Sequence, residues 1–140
     1  MRVLVAVSIL TLLSSCVAVN SGSSSGLGET PPPTPESTAT LTSQSAGGRI
    51  SEVGEEYGNL ETSLVAADLT HIGLAKGDMF TAVCNGNEIS VYLGDTYSDV
   101  AEGEWIAFIN WEGKLRLARN LRNASETLSA KAGDAVIISR

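Results

Sequence analysis

Histidine, cysteine and aromatic side chains are scarce in this chain of 140 residues: it has one His, two Cys, and 5% Phe, Trp and Tyr. One His and no Cys pair at metal-ligand spacing exclude the usual zinc and iron–sulfur sites, so we expect no metal and no cofactor. No Ser or Cys nucleophile with a base and an orienting acid is recognisable either. His71 is therefore predicted to pack or to lie at the surface.

Positive charge is also limited, because nine Lys and Arg stand against sixteen Asp and Glu, for a formal net charge of −7. An acidic surface repels polyanions, so nucleic acid is not an expected partner. The densest basic segment is INWEGKLRLARNLRNAS, residues 109–125. Alternation there places Lys114 and Arg116 on one strand face, which predicts a solvated face paired with Glu102 or Glu104 across the hairpin. A specific anion site is the alternative interpretation.

The one long apolar run, VLVAVSILTLL at Val3–Leu13, falls short of the ~20 residues that a bilayer span needs. It follows Arg2 and precedes LSSC, the order read by the bacterial lipoprotein signal peptidase. We predict a lipoprotein signal peptide over residues 1–15 and acylation of Cys16, for example with palmitate. The protein would then be anchored in the cell envelope, and in the outer membrane if the organism has two. Ordinary cleavage near a free cysteine is the alternative.

Large apolar side chains are almost absent from residues 16–47, which are rich in Ser, Thr, Pro and Gly. Such a segment cannot bury enough surface to offset backbone entropy, which predicts a disordered tether. If Cys16 is acylated, the remaining cysteine is Cys84, and no intramolecular disulfide is available. Cys84 lies in the apolar run MFTAVC, where a buried small side chain is favoured over a reactive thiol.

Residues 48–140 suffice for one modest core, and their pattern is mostly alternating. Seven short β-rich runs stand between turn signals: RISEV, LETSL, MFTAVC, EISVYL, EWIAFIN, KLRLAR and AVIIS. They predict an all-β domain with one or two short helices, folded as a small antiparallel β-barrel of about seven strands. Two similar phrases, GLAKGDMF and SAKAGDAV, predict turns in which Asp78 and Asp134 bond backbone amides. Asn123 or Ser125 is predicted to cap a second short helix.

Two longer phrases carry a family resemblance, GRISEVGEEYGNLETSL at residues 48–64 and TYSDVAEGEWIAFINWEGKLRLARNLRNASETLSAKAGD at residues 96–134. Together they resemble the C-terminal domain of the S-adenosyl-L-methionine hydroxide adenosyltransferase family, whose relatives include the fluorinase and chlorinase. The resemblance implies a small antiparallel β-barrel. In those enzymes a preceding α/β domain carries the catalytic residues and completes the site against a neighbouring barrel. Only the predicted tether precedes Gly48 here, which implies a non-catalytic domain and no catalytic residue.

The resemblance places the adenine side of a ligand site on two phrases. The family's Phe-Gly-Asn appears as Tyr57–Asn59, where the ring would lie along a nucleoside and the Asn59 side chain would read adenine. The family's Ala-Arg-Asn phrase appears as Ala118–Asn120, followed by Leu121. The backbone at Arg119 and Leu121 would bond the adenine edge.

The methionine side of the family's site is not retained. The acid that holds the methionine amine is Gly54 in this sequence. The Ser-Arg pair that grips the methionine carboxylate is Trp111 and Glu112, and a carboxylate facing a carboxylate repels by ~1 kcal/mol at 4 Å in water. The resemblance therefore implies that only the adenine half can still bind.

Three functions follow from this. The first is a structural or interaction module that contacts an envelope protein or cell-wall component, with Trp111 at a hairpin turn as the candidate contact. Packing of Trp111 on its own sheet is the alternative for that residue. The second function is binding of an adenine nucleoside or other small ligand through Tyr57, Asn59, Arg119 and Leu121. The third is an accessory subunit of a hydrolase completed in trans.

Overall fold

Residues 33–140 are described by the computed structural model, and the predicted signal peptide and Cys16 lie outside them. The described residues form strands β1 (Thr40–Leu41), β2 (Ser45–Val53), β3 (Leu60–Val65), β4 (Met79–Cys84), β5 (Asn87–Leu93), β6 (Trp105–Ile109), β7 (Lys114–Arg119) and β8 (Ala135–Ser139). Helix α1 spans Ala66–His71, a 3-10 turn spans Tyr97–Asp99, and helix α2 spans Ala124–Leu128. Each of the seven predicted strands is present.

The strands form one sheet in the order β1-β2-β3-β7-β6-β5-β4-β8, and an additional β2–β8 pairing closes β2 to β8 into a seven-stranded barrel. The predicted fold class is confirmed. One detail differs, since β5 and β6 run parallel while the other pairs are antiparallel. The crossover of residues 94–104 joins this parallel pair. Alternation in the sequence reports which face a side chain occupies and carries no information on strand direction.

The barrel closes where its first and last strands meet. Ser45 of β2 pairs with Ser139 of β8, and the Arg140 N–H donates to the Gln44 carbonyl at 3.2 Å. The C-terminal half of β2 pairs with β3 instead of β8, and this pairing has a register shift between Ile50 and Glu52. The barrel thus begins at residue 45, and β1 pairs with β2 before it. The prediction that residues 40–47 belong to a disordered tether is wrong, because their backbone groups complete the sheet.

Residues 33–39, here called the strap, also lie on the barrel. The Cγ and Cδ atoms of Pro35 are 3.0 Å from the position that a Cβ on Gly113 would occupy. The Ser37 hydroxyl donates to Oδ1 of Asp68, a carboxylate that is 1% exposed and whose Oδ2 accepts from the Val65 N–H at 2.9 Å. A buried carboxylate requires such partners, which explains why the strap is held to α1.

Both faces of the β6–β7 hairpin are covered. Leu115 and Leu117 point into the main core and are fully buried. On the opposite face Phe108 and Ala118 form a second cluster, against which Tyr97 of the crossover packs. The hairpin is therefore enclosed between the barrel interior and the crossover.

The two Gly-Asp turns behave as predicted. Asp78 accepts from the backbone N–H three residues before it at 2.9 Å, and Asp134 does the same at 3.0 Å. The strands that follow these turns, β4 and β8, pair with each other. Asn123 caps α2 by accepting from the Glu126 N–H at 2.9 Å, and Cys84 is buried. These sequence predictions are confirmed.

Candidate ligand site

A depression of about 200 Å³ lies where the loop before β3, the 3-10 turn and the turn after β7 meet. Its lining residues are Tyr57, Asn59, Tyr97, Arg119, Asn120 and Leu121. We call it the Tyr57 pocket. The structure thus brings the four sequence-predicted ligand residues to one place and adds Tyr97 and Asn120.

The loop that carries Tyr57 is shaped by Gly58. This glycine has a φ of 58°, and a Cβ on it would lie 1.9 Å from Oδ1 of Asn123, the cap of α2. Its carbonyl accepts from the Ser125 N–H at 2.9 Å, which ties the loop to the start of α2. The Tyr57 side chain stands at the tip, 49% exposed. Glu56, as a hydrogen-bond acceptor and a negative charge, raises the Tyr57 pKa, so the phenol is neutral at physiological pH.

Asn59 forms the polar wall of the Tyr57 pocket. Its Nδ2 donates to the Tyr97 hydroxyl oxygen at 2.9 Å. Its Oδ1 is buried and has no hydrogen-bond partner in the described part of the chain. A buried acceptor without a partner costs ~1–3 kcal/mol. A ligand that presents an N–H to this atom would recover that energy, provided that the Asn59 amide turns toward the pocket on binding, because solvent does not reach Oδ1 in this conformation.

The Tyr97 hydroxyl is held by more than Asn59. It also accepts from Nη1 of Arg116 at 3.3 Å, and the Tyr97 ring packs edge-on against Phe108 with centroids 5.2 Å apart. Arg116 lies over the same Phe108 ring at 5.6 Å. Tyr97 is thus positioned by a cation and an aromatic ring.

Arg116 is paired with Glu61 across β3 and β7. Their side chains are 24% and 13% exposed, and the second Glu61 oxygen accepts from Nδ2 of Asn110 at 2.6 Å. Burial lowers the Arg116 pKa, but its hydrogen bonds to Glu61 and Tyr97 and the Glu61 charge more than compensate, so the net pKa is raised. Arg116 is therefore a permanent cation inside a hydrogen-bonded network.

The predicted solvated face with Arg116 paired to Glu102 or Glu104 is wrong. Glu102 pairs instead with Arg122 at 3.1 Å, and Glu104 accepts a backbone hydrogen bond in its own turn. The physical reason is the crossover, which covers the β7 face that Arg116 shares with Ala118. Lys114, nearer the hairpin end, remains partly exposed and lies 3.7 Å from Glu112.

Arg119 contributes to the wall of the pocket while its side chain braces the fold. Its Nε and Nη2 donate to the Gly103 carbonyl at 2.9 and 2.7 Å, and Nη1 donates to Oγ1 of Thr127 at 3.1 Å. The guanidinium also lies 5.4 Å from the Trp105 ring centroid. Because the side chain is engaged, a ligand would meet mainly the backbone of this turn. Leu121, at a φ of 56° and 64% exposed, forms the outer edge.

Trp111 and Glu112 do not line the Tyr57 pocket. Trp111 is 84% exposed at the tip of the β6–β7 turn. Beneath it Asn110, itself 8% exposed, accepts from the N–H groups of Glu112 and Lys114 at 2.9 and 3.0 Å. Packing of Trp111 on its own sheet is therefore excluded, and the side chain projects from a well-braced turn.

Sequence reasoning missed Tyr97, Asn120 and the ion pair between Arg116 and Glu61. Tyr97 is a polar aromatic in a segment with no strand period, and only the crossover brings it to Asn59. Asn120 was recognised as part of the Ala-Arg-Asn phrase but was not assigned a role; its Nδ2 donates to the Val100 carbonyl at 2.9 Å. A Tyr-Ser-Asp phrase two residues after a Gly-Asp turn is the one signal that could have marked the crossover as ordered.

Residues 33–140 contain no group of three or more His, Cys, Asp or Glu side chains arranged to hold a metal ion. Nor does that stretch include a helix with the length and apolar character for crossing a bilayer.

Fold and pocket together define a small mixed β-barrel domain with a depression lined by aromatic and amide side chains. Over residues 48–137 the sequence matches the SAM hydroxide adenosyltransferase C-terminal domain, and the chain belongs to that family. None of the curated proteins with which the sequence was compared matches it.

Two solved structures are similar to this chain. An uncharacterized conserved protein from Thermotoga maritima is 24% identical, with a TM-score of 0.69 over 73% of this chain and 38% of its own. A conserved hypothetical protein from Thermus thermophilus is 25% identical, with a TM-score of 0.48 over 66% of this chain and 34% of its own. The similarity to the Thermotoga maritima protein supports the barrel fold described above. The chain thus spans less than two-fifths of the length of either structure.

Proposed function

We propose that this chain is a lipid-anchored envelope protein whose barrel binds an adenine nucleoside in the Tyr57 pocket without catalysing a reaction. The main support for this proposal is that Tyr57, Asn59 and the Arg119–Leu121 turn line the same depression. In addition, the side-chain oxygen of Asn59 has no hydrogen-bond partner in the described residues. A purine base can stack its flat face on the Tyr57 ring and form hydrogen bonds along its edge with the backbone of the Arg119–Leu121 turn.

Adenosine fits the unpartnered oxygen better than a purine without an amine. The Asn59 oxygen accepts and cannot donate, so its complement is an N–H such as an exocyclic amine. A 6-oxo purine has an acceptor where adenine has its 6-amine, and its N1–H donor lies one ring position away, so in the same pose the oxygen stays unpaired. We therefore expect adenosine to bind more tightly than inosine.

The ligand is proposed to be a nucleoside rather than S-adenosylmethionine. Trp111 and Glu112, which stand where the family grips the methionine carboxylate, lie outside the Tyr57 pocket. Gly54 supplies no acid for the methionine amine. At about 200 Å³ the pocket is also smaller than the ~300–1,000 Å³ typical of drug-sized ligands. A heteroaromatic base with part of its sugar is the expected occupant.

Calorimetric and thermal-shift titrations of residues 33–140 with adenosine, inosine, S-adenosylmethionine and methionine test this proposal. Asn59→Ala should weaken adenosine binding by the ~1–3 kcal/mol of one polar contact, or about 5- to 150-fold. No response to any of the four compounds at millimolar concentration contradicts the proposal.

Tyr97→Phe is the companion variant. It keeps the ring against Phe108 but removes the acceptor for Nδ2 of Asn59, so the amide can rotate. We expect adenosine affinity to fall several-fold and the preference over inosine to shrink, measured by the same titrations. Tyr57→Phe, which keeps the stacking face, is the control that should retain the preference. If Tyr97→Phe prefers adenosine over inosine as strongly as wild type does, Tyr97 takes no part in recognising the base.

Lipid anchoring is a separate element of the proposal and rests on the LSSC phrase at Cys16. Radiolabelled palmitate should be incorporated into the wild-type chain and not into Cys16→Ser, as measured on the protein purified from cells. A Ser14→Ala chain, which leaves the cysteine in place, serves as the matched control. Equal labelling of wild type and Cys16→Ser, or no labelling of wild type, counts against acylation of Cys16.

An interaction module is the second candidate, and the exposure of Trp111 favours it. Exposed tryptophan side chains on braced turns are typical of contact residues. Trp111→Ala should then weaken association with the partner while leaving the unfolding free energy within ~0.5 kcal/mol of wild type. An accessory role for a hydrolase completed in trans has no supporting contact in the described residues.

A further inference from the structure

The chain that leads to the proposed anchor leaves the barrel beside Trp111. Going back from β1, the strap passes α1 at Ser37 and reaches the β6–β7 turn at Pro35, whose ring lies against Gly113. Gly113 is two residues from Trp111 in the same tight turn. The start of the described chain and the exposed tryptophan are thus at the same end of the barrel, which we call the tether end.

From this placement we infer that Trp111 contacts a lipid surface, so that the barrel rests on the membrane with its tether end toward the bilayer. The inference rests on the proposed lipid anchor and names the partner of the interaction surface. Tryptophan suits this position because its indole is apolar with one polar N–H, and it is enriched at the boundary between lipid and water.

Chain length keeps Trp111 within reach of the membrane. Seventeen peptide steps join Cys16 to Pro33, which at full extension span at most ~60 Å. Tethering makes the second contact intramolecular, so a weak contact by one side chain can be well populated. No large buried interface is needed.

Apolar surface at the tether end extends beyond Trp111. Ile109 is 37% exposed and borders a groove of about 410 Å³, which runs along α1 past Leu69 and Leu74. A lipid surface can cover a ridge and a groove of this kind without matching a particular shape, because headgroups and acyl chains adapt to it. Leu69 and Leu74 are themselves buried, so the exposed part is Ile109 and Trp111.

Charge at the tether end is mostly paired. Glu112 lies 3.7 Å from Lys114, and Lys76 of the groove is paired with Asp95. The strap adds the acidic Glu36. A neutral, zwitterionic lipid is therefore a better surface than an anionic one for a chain with a net charge of −7.

Tryptophan fluorescence in vesicles tests the inference. The lipidated full chain is reconstituted in phosphatidylcholine vesicles with and without bromine atoms near the headgroup end of the acyl chains. The signal of Trp111 is the difference between wild type and Trp111→Phe, a change at an exposed position that leaves Trp105 in place. We expect this difference spectrum to shift to shorter wavelength on vesicles and to lose intensity in brominated lipid.

A second arm separates this inference from the lipid anchor. A chain in which a hexahistidine tag replaces residues 1–16 is attached to nickel-chelating lipid in the same vesicles, so neither acylation nor the apolar leader is needed. Quenching of Trp111 there supports the membrane contact even if acylation of Cys16 fails. A Trp111 signal that brominated lipid leaves unchanged, on vesicles that carry the protein, overturns it. Shielding of Trp111 in intact envelopes but not on vesicles also overturns it, in favour of a protein partner.

Discussion

At the scale of single residues, Gly58 has two separate reasons to be glycine. Its φ of 58° disfavours any residue with a Cβ, and the space that a Cβ would take is filled by the Asn123 amide. Gly86 shares the first reason without the second, since it has a φ of 76° and no atom lies within 4 Å of the position that its Cβ would take. The pair therefore separates backbone strain from steric conflict.

Gly58→Ala is expected to destabilise the protein more than Gly86→Ala. The backbone strain of each costs ~1–2 kcal/mol, and Gly58→Ala adds the loss of the α2 cap, about 1 kcal/mol. Urea denaturation of the two variants gives the unfolding free energies. Equal losses in both would show that the Asn123 amide moves aside at no cost. Weaker adenosine binding is expected for Gly58→Ala alone, because Tyr57 and Asn59 flank it.

At the scale of elements, the alternation of the sequence predicted the strands closely. The predicted runs coincide with β4, β7 and β8, since each has one face in the core and the period of two is clear. What alternation could not supply is what covers the other face. Arg116 alternates with buried Leu115 and Leu117, which is also the pattern of an exposed strand face, and only the crossover with Tyr97 encloses it.

The strap and the Tyr57 pocket mark the limits of sequence reasoning in different ways. Residues 33–41 are rich in Thr, Pro and Ser, and their few apolar side chains show no period. Their order depends on contacts with distant parts of the chain, which no local pattern reports: β1 pairs with β2, Pro35 lies against Gly113, and Ser37 donates to the buried Asp68 carboxylate. The prediction of Tyr57 and Asn59 as pocket residues depended instead on the family resemblance. A site built from three loops produces no periodic pattern in the sequence from which it could be predicted.

The corner between β4 and α2, where Asn85 meets Asp134, is expected to contribute to the loss of stability at acid pH. Asn85 donates to an oxygen of Asp134, and the Lys131 N–H donates to the same oxygen, both of which lower the Asp134 pKa below its ordinary value of 3.8. A carboxyl with a lowered pKa stabilises the folded state above its unfolded pKa. That stability is lost as pH falls through the folded pKa.

Urea denaturation from pH 7 to pH 2 checks this expectation. Wild type should lose stability below about pH 4, and Asp134→Asn should lose less over the same range because it has no carboxyl to protonate. The amide also keeps the size of the side chain. If both proteins show the same pH dependence, the corner makes no contribution.

At the scale of the whole molecule, the thiol of Cys84 reports on the opening of the barrel. Cys84 is 2% exposed. Burial raises the pKa of its thiol, and the negative charge of Asp134 raises it further. In residues 33–140 it is the one cysteine. A thiol reagent should therefore reach it only when the barrel opens, and the native rate should be lower than the denatured rate by roughly 10³-fold or more for a stability of at least 5 kcal/mol.

Ellman's reagent measures these rates. A chain with Cys84→Ala and Lys131→Cys provides the exposed thiol for comparison, because the Lys131 side chain is 82% exposed. Native Cys84 reacting as fast as that control would mean that β4 opens independently of the rest of the barrel.

The meeting of Gln44 with Arg140 has a consequence for how this domain is carried by longer chains. A barrel whose first and last strands, β2 and β8, are neighbours is entered and left at adjacent positions, while β1 and the strap lie outside this closure. Such a domain can be inserted into, or fused behind, an unrelated segment without stretching across its surface. A circular permutant of residues 45–140 that joins Ser45 to Arg140 by a short Gly-Ser linker and opens the β4–β5 turn at Gly86 should therefore keep the same barrel.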